Sequence, residues 1–139
     1  HGHITLFDRS WYGRVLVERV EGFCSEADWM RAYGEINAFE EQQHEAGAVV
    51  VKFWIAVTPE EQLRRFEARK NTPHKQHKIT EDDWRNRAKW PLYAQAVGDM
   101  IDRTSTRTAP WHLVASDDKL WSRIEVLGTL CERLEAALD

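Results

Sequence analysis

The ten residues Ala48 to Val57, "AVVVKFWIAV", constrain the fold more than any other stretch of the chain. Their near-continuous apolar character predicts a strand covered on both faces, the situation of a central strand in a parallel sheet flanked by helices. Thr58-Pro59-Glu60-Glu61 follows at once and predicts a helix start: an N-cap Thr, a Pro at the first helical position and a Glu at the third. A buried strand that runs straight into a helix is the unit from which parallel α/β sheets are built.

Two further strands are expected, at His3–Phe7 ("HITLF") and at Trp111–Ser116 ("WHLVAS"). Between the first and second, Val15, Leu16, Val17 and Val20 fit a short helix ending near Gly22. Ser25 and Asp28 then open a long helix whose Trp29, Tyr33, Ile36 and Phe39 form a core-facing stripe. The helix begun at Thr58 runs to Lys70, and Asn71–Ile79, poor in apolar residues, is expected to be an exposed, mobile loop. Thr80 with Asp83 restarts a helix, in which Trp84, Ala88, Tyr93, Val97 and Met100 can face a core and Pro91 predicts a kink or break. Asp117-Asp118 lead into a final amphipathic helix over Leu120–Leu138. Strands alternating with helices place the chain in the α/β class with a parallel sheet.

The chain has 139 residues, 42% of them hydrophobic and 30% charged, enough for one ordinary domain with a core. Cys24 and Cys131 lie far apart without a CxxC pattern, so neither a disulfide framework nor a zinc knuckle is expected, and both thiols are read as reduced and semi-buried. No apolar run approaches a membrane span and no signal-peptide pattern opens the chain, which leads to an expectation of a cytoplasmic protein without a membrane partner. The opening "HGHITLF", with a strand-like run from residue 3 and no Met, reads as a piece of something longer.

The net charge of −4 argues against general nucleic-acid binding, but it hides an asymmetry. Arg64 to Lys89 carries +5, leaving −9 on the remainder. A basic island in an acidic chain suits a localised anionic ligand; a solvated helix face with alternating charge is the alternative. Ligands of parallel α/β sheets bind beyond the carboxyl ends of strands, where Asp8-Arg9, Thr58 and Asp117-Asp118 are expected. Asp8 after a buried strand could hold Mg²⁺ in phosphoryl transfer, or could be an ordinary turn residue. Arg65, Arg69, Lys75, Lys78 and Arg87 could neutralise a polyanion from a mobile junction, with Arg65 and Arg69 on one helix face. His74 and His77 lack a third ligand of good spacing for zinc, and capping is the favoured role of Asp117-Asp118.

The ordered segments "DRSWYGRVLVERVEGF", "EINAFEEQ", "KFWIAVTPEEQLRRFEAR", "TPHKQHKITEDDWRNRAKWPLY" and "TSTRTAPWHLVASDDK" resemble the family-2 polyphosphate kinases over essentially the whole chain. The resemblance implies a P-loop kinase-like, three-layer αβα fold and phosphate transfer between inorganic polyphosphate and a nucleotide with Mg²⁺. It is stronger to the AMP-phosphorylating branch, often built of two fused domains, since Gly13-Arg14-Val15-Leu16 stands where the diphosphate branch typically has Asn-Arg-Ala-Gly. Carried over, Asp8 is the Walker B acid near Mg²⁺, and Arg9 and Arg14 contact phosphate in the catalytic centre. Arg65, Arg69, Lys75 and Lys78 fall on a helical lid over about residues 64–90, and Glu18 is either a ligand contact or a salt-bridge partner of Arg14.

One departure is large: the family's Walker A loop and first strand, which precede "FDRSWY", have no counterpart here, and Gly2 is followed by no GK[ST]. The chain is therefore read as the carboxy-terminal part, residues 1–139, of one such domain. Alone it is expected to be inactive and to carry unpaired sheet edges. As an intact domain it would act on polyphosphate and an adenine nucleotide, as a homo-oligomer or beside a fused second domain. A non-catalytic kinase-like module that binds polyphosphate or nucleotide, or acts as a scaffold, is the competing reading.

Overall fold

Strand β1 (Lys52–Ala56) and strand β2 (Trp111–Ala115) pair in parallel, in the register Lys52↔Trp111 to Ala56↔Ala115. The structure is a computed structural model and describes residues 2–74 and 80–138. A 3₁₀ turn over Trp11–Val15 leads into α1 (Val17–Glu21), which stops at Gly22, whose φ of 72° closes it in the left-handed region. Then come α2 (Glu26–Glu45), β1, α3 (Pro59–Lys70), α4 (Glu81–Ala88), α5 (Trp90–Thr104), β2 and α6 (Lys119–Leu138).

Most boundaries follow from local chemistry. Ser25 Oγ accepts from the Asp28 amide while the Asp28 carboxylate accepts from the Ser25 amide, a reciprocal cap on α2. Thr58 Oγ1 accepts from the Glu61 amide at 3.2 Å, with Pro59 as the first residue of α3. The Asp83 carboxylate accepts from the Thr80 amide at 3.0 Å at the start of α4. Pro91 divides what could have been one helix: α4 ends at Ala88 and α5 starts at Trp90, with Pro91 in its first turn.

The core gathers Tyr12, Val15, Ala32, Tyr33, Ile36 and Met100, with Trp54, Val97 and Trp111 packed against it. It joins the 3₁₀ turn to α2, α5 and the sheet. Of the stripe on α2, Tyr33 and Ile36 are buried, whereas Phe39 is exposed and meets Trp11 edge-on at 5.0 Å.

The parallel α/β expectation holds, but the strand expected at His3–Phe7 is not formed. These residues join no ladder, and Leu6 is 89% exposed. A strand exists only beside a partner, and among the described residues none lies next to this segment, so its backbone groups go to water. The other strands are shorter than expected for the same reason: both outer edges of the two-stranded sheet are unpaired among the described residues. Burial along β1 falls from Lys52 at 6% to Ile55 at 48% exposure, so the strand is not covered on both faces. Helix α6 buries Ser122 while Leu120, Ile124 and Leu127 stay exposed. Among the described residues no helix is long and apolar enough to cross a membrane.

Candidate functional site

Asp8 and Arg9 form a bend directly ahead of the 3₁₀ turn. Asp8 is exposed and, among the described residues, makes no hydrogen bond or ion pair. Arg9 has a φ of 61°, left-handed for a residue with a side chain, which costs about 1 kcal/mol. Arg14, two turns of chain later, pairs with Glu18 at 3.0 Å, so Glu18 takes the salt-bridge role. Phe7 packs its ring against Trp11 at 5.1 Å.

Behind this bend lies a buried polar cluster. Glu40 Oε1 accepts from Trp11 Nε1 at 3.2 Å and from the Tyr12 hydroxyl at 2.7 Å. Lys52 Nζ donates to Glu40 Oε2 at 2.7 Å, to the Tyr12 hydroxyl at 2.8 Å and to the Thr104 carbonyl at 2.8 Å, using all three of its protons. The Trp111 ring meets Tyr12 edge-on at 4.8 Å, and its Nε1 donates to Thr104 Oγ1 at 2.8 Å. Burial lowers the Lys52 pKa, with Glu40 opposing; burial and the Glu40 bond push the Tyr12 hydroxyl up. Sequence reasoning missed this cluster, although two signals existed. Lys52 is a charge inside an apolar run, and Glu40 continues the Tyr33–Ile36 stripe by one more helical step.

A second polar cluster joins α1 to the α4–α5 junction. Glu21 accepts from Lys89 Nζ at 2.8 Å and from the Tyr93 hydroxyl at 3.4 Å, and pairs with Arg85 at 3.4 Å. The Lys89 bond, foremost, lowers the Glu21 pKa. Burial and then Glu21 raise that of Tyr93, while the charges of Arg85 and then Arg9 lower it.

At the carboxyl ends of the strands, the Thr58 amide and Oγ1 each donate to the Asp117 carboxylate at 2.9 Å, tying β1 to β2. Asp118 Oδ1 accepts from the Leu120 and Trp121 amides at 2.8 and 3.1 Å, the capping role expected of it. Of the three strand-end groups, Thr58 and Asp117 meet. An open depression of about 370 Å³ beside them is lined by Glu61, Arg64, Asp117, Asp118, Lys119 and Leu120. Its excess of acid over base does not favour a polyanion there.

The lid arginines divide. Arg65 pairs with Glu61 at 2.6 Å and donates to the carbonyls of Ser116 and Asp117, so it staples α3 to the end of β2 rather than standing free for phosphate. Arg87 donates to the Pro59 carbonyl at 2.7 Å and to Gln62 Oε1 at 3.1 Å, holding α4 against α3. The Arg69 guanidinium makes no hydrogen bond or ion pair among the described residues, which leaves it available to an anion. Lys75 and Lys78, and with them His77 and most of the expected mobile loop, lie outside the described residues. Among the described residues no group of three or more His, Cys, Asp or Glu could hold a metal ion. Cys24 is partly buried, and Cys131 is exposed rather than semi-buried.

The family model described as Polyphosphate kinase 2 (PPK2) matches residues 1–139. The chain is 67% identical over 136 residues to a polyphosphate:AMP phosphotransferase of Pseudomonas syringae pv. tomato, covering 98% of this chain and 27% of that relative. It is 38% identical over 133 residues to ADP-polyphosphate phosphotransferase 2 of Rhizobium meliloti, covering 96% of this chain and 44% of the relative. A solved polyphosphate kinase 2 from Pseudomonas aeruginosa superposes with a TM-score of 0.93 at 62% identity, over 95% of this chain and 29% of that one. The chain thus spans 27–44% of the length of these relatives. With its motifs in order along all 139 residues and its backbone matching a solved member, the chain belongs to the polyphosphate kinase 2 family.

Proposed function

We propose that this chain is the carboxy-terminal part of a phosphotransferase domain that moves phosphate between inorganic polyphosphate and a nucleotide, with AMP as the favoured acceptor. The observation that carries the reading is a gap in identity. The relatives named polyphosphate:AMP phosphotransferases stand at 54–67% identity, and those named for nucleoside diphosphates at 36–40%. The proposed setting is cytoplasmic, as an oligomer or beside a fused second domain.

Asp8 fits a Mg²⁺ ion: Mg²⁺ is held by one or two carboxylates plus water and substrate phosphates, and Asp8 is exposed with no partner competing for its oxygens. When bound, the ion supplies charge that neutralises phosphate oxygens. Arg9 and Arg14 hold phosphate charge on either side of the 3₁₀ turn, Arg14 after exchanging Glu18 for the anion. Arg69, Lys75 and Lys78 cover the polyanion from the lid, over about residues 64–90. Arg65 and Arg87 act one step back, fixing α3 to β2 and α4 to α3, so that the lid arms are presented as a unit. Phosphoryl transfer requires chiefly positioning and charge, which such an array supplies.

The test is polyphosphate-dependent ADP formation from AMP by the full-length protein, with and without Mg²⁺. Asp8→Asn, which preserves shape but removes the charge, is expected to lower kcat by about 100-fold or more. A rate within about threefold of wild type would show that Asp8 has no such role.

A further inference from the structure

We propose that Glu40 and Lys52 are positioning residues for the Asp8–Arg14 segment, acting through Trp11 and Tyr12 to fix where Asp8, Arg9 and Arg14 are presented. The inference deepens the functional reading above and rests on it. Residues 2–9 join no sheet and are exposed, so the support for this segment begins at the 3₁₀ turn. There two consecutive aromatic side chains converge on one carboxylate oxygen, Glu40 Oε1, at 3.2 and 2.7 Å. Tyr12 also accepts from Lys52 at 2.8 Å, and Lys52 is fixed in turn by Glu40 Oε2 and the Thr104 carbonyl. The segment is thereby bolted to α2, β1 and the end of α5 at once.

Glu40, at 1% exposure, and Lys52, at 6%, pair as two buried charged residues. A buried ion pair is a poor source of stability, because well-packed apolar residues of similar volume commonly do as well or better. What it provides that an apolar pair cannot is direction: each bond fixes the angle of the group it meets. A phosphate-binding segment needs that, since a displacement of about 1 Å can lower a rate by about 100-fold.

The experiment uses the full-length protein with both charges replaced, Glu40→Leu with Lys52→Met, so that no lone charge is buried. The expected result is a melting temperature close to wild type, kcat for ADP formation down at least about tenfold, and KM for AMP within about threefold. Trypsin cleavage after Arg9 and Arg14 should become several-fold faster in the same variant, a readout that needs no activity. A folded double variant with wild-type kcat and wild-type cleavage overturns the proposal and makes the pair purely structural. If the double variant does not fold, Tyr12→Phe decides. It removes one hydroxyl and leaves the Glu40–Lys52 pair, and unchanged kcat and cleavage in it overturn the proposal. If wild type itself makes no ADP from AMP and polyphosphate, the functional reading fails, and the cleavage comparison alone still decides whether the pair positions the segment.

Discussion

Truncating Phe66 should open the α3–α4 arm without unfolding the core. Phe66 is 6% exposed and its ring meets Trp84, on α4, edge-on at 5.2 Å. Burying a Phe side chain contributes about 1.5–3 kcal/mol, and an aromatic pair adds about 0.5–1.5. Trp84 is 41% exposed, so its open side can relax into the space left by Phe66→Ala, which keeps the loss near about 3 kcal/mol. Phe66 lies outside the cluster of Tyr12, Tyr33, Ile36 and Met100, so the loss falls on a local opening. At about 1.4 kcal/mol per tenfold, amides of α3 and α4 that exchange through that opening should exchange about 100-fold faster. Hydrogen exchange of the full-length protein, read peptide by peptide, is the assay, and amides of α2 near Tyr33 should stay within about threefold of wild type. Equal acceleration in α2 would refute the claim that the arm is a separate unit. Acceleration of α3 and α4 below about threefold would refute the claim that the Phe66–Trp84 contact holds it.

Two further outcomes are expected. Glu61 has its carboxyl held down at about 2 by Arg64 and then Arg65, against an ordinary 4.5. Its contribution is full above the ordinary value and is lost as pH falls through about 2, so protection of α3 should fall with acid below about pH 4.5 more steeply in wild type than in Glu61→Gln; parallel profiles would exclude this role. Arg9→Gly removes the left-handed penalty at φ 61° but loosens the unfolded chain, so the melting temperature should change by no more than a few degrees while kcat falls. Retained kcat would remove Arg9 from the phosphate contacts.

The helix boundaries were legible because their causes are local. Ser25 and Asp28, Thr58 and Pro59, Gly22 and Pro91 each act within a few residues, so a one-dimensional pattern contains the whole interaction. The strand at His3–Phe7 was misread because strand formation depends on a neighbour, which composition and apolar character do not supply. Arg65 and Arg87 were legible as cations on a helix but not as staples, since the carbonyls of Ser116, Asp117 and Pro59 carry no sequence signature. The Glu21–Lys89 bond spans 68 residues and Lys52–Thr104 spans 52, distances over which only the fold sets proximity. Asp8 was read first as an acid closing an apolar run, either a Mg²⁺ acid or a turn residue, and then favoured as the acid by the family motifs; its geometry is that of an exposed bend.

The parallel register has a consequence for assembly. Every pair from Lys52↔Trp111 to Ala56↔Ala115 is 59 residues apart, as are Thr58 and Asp117 beyond it. Such long-range pairing is slow, because a large loop must close before any bond rewards it. On a ribosome adding about 5–20 residues per second, β1 waits roughly 3–12 s for its partner to be synthesised. Helix α2 and the 3₁₀ turn need only early residues, and they can form their Glu40 contacts during that wait. The Thr58–Asp117 tie at the end of the sheet forms only after β2 is made, so a nascent chain has the bend that carries Asp8 before its two strands are joined.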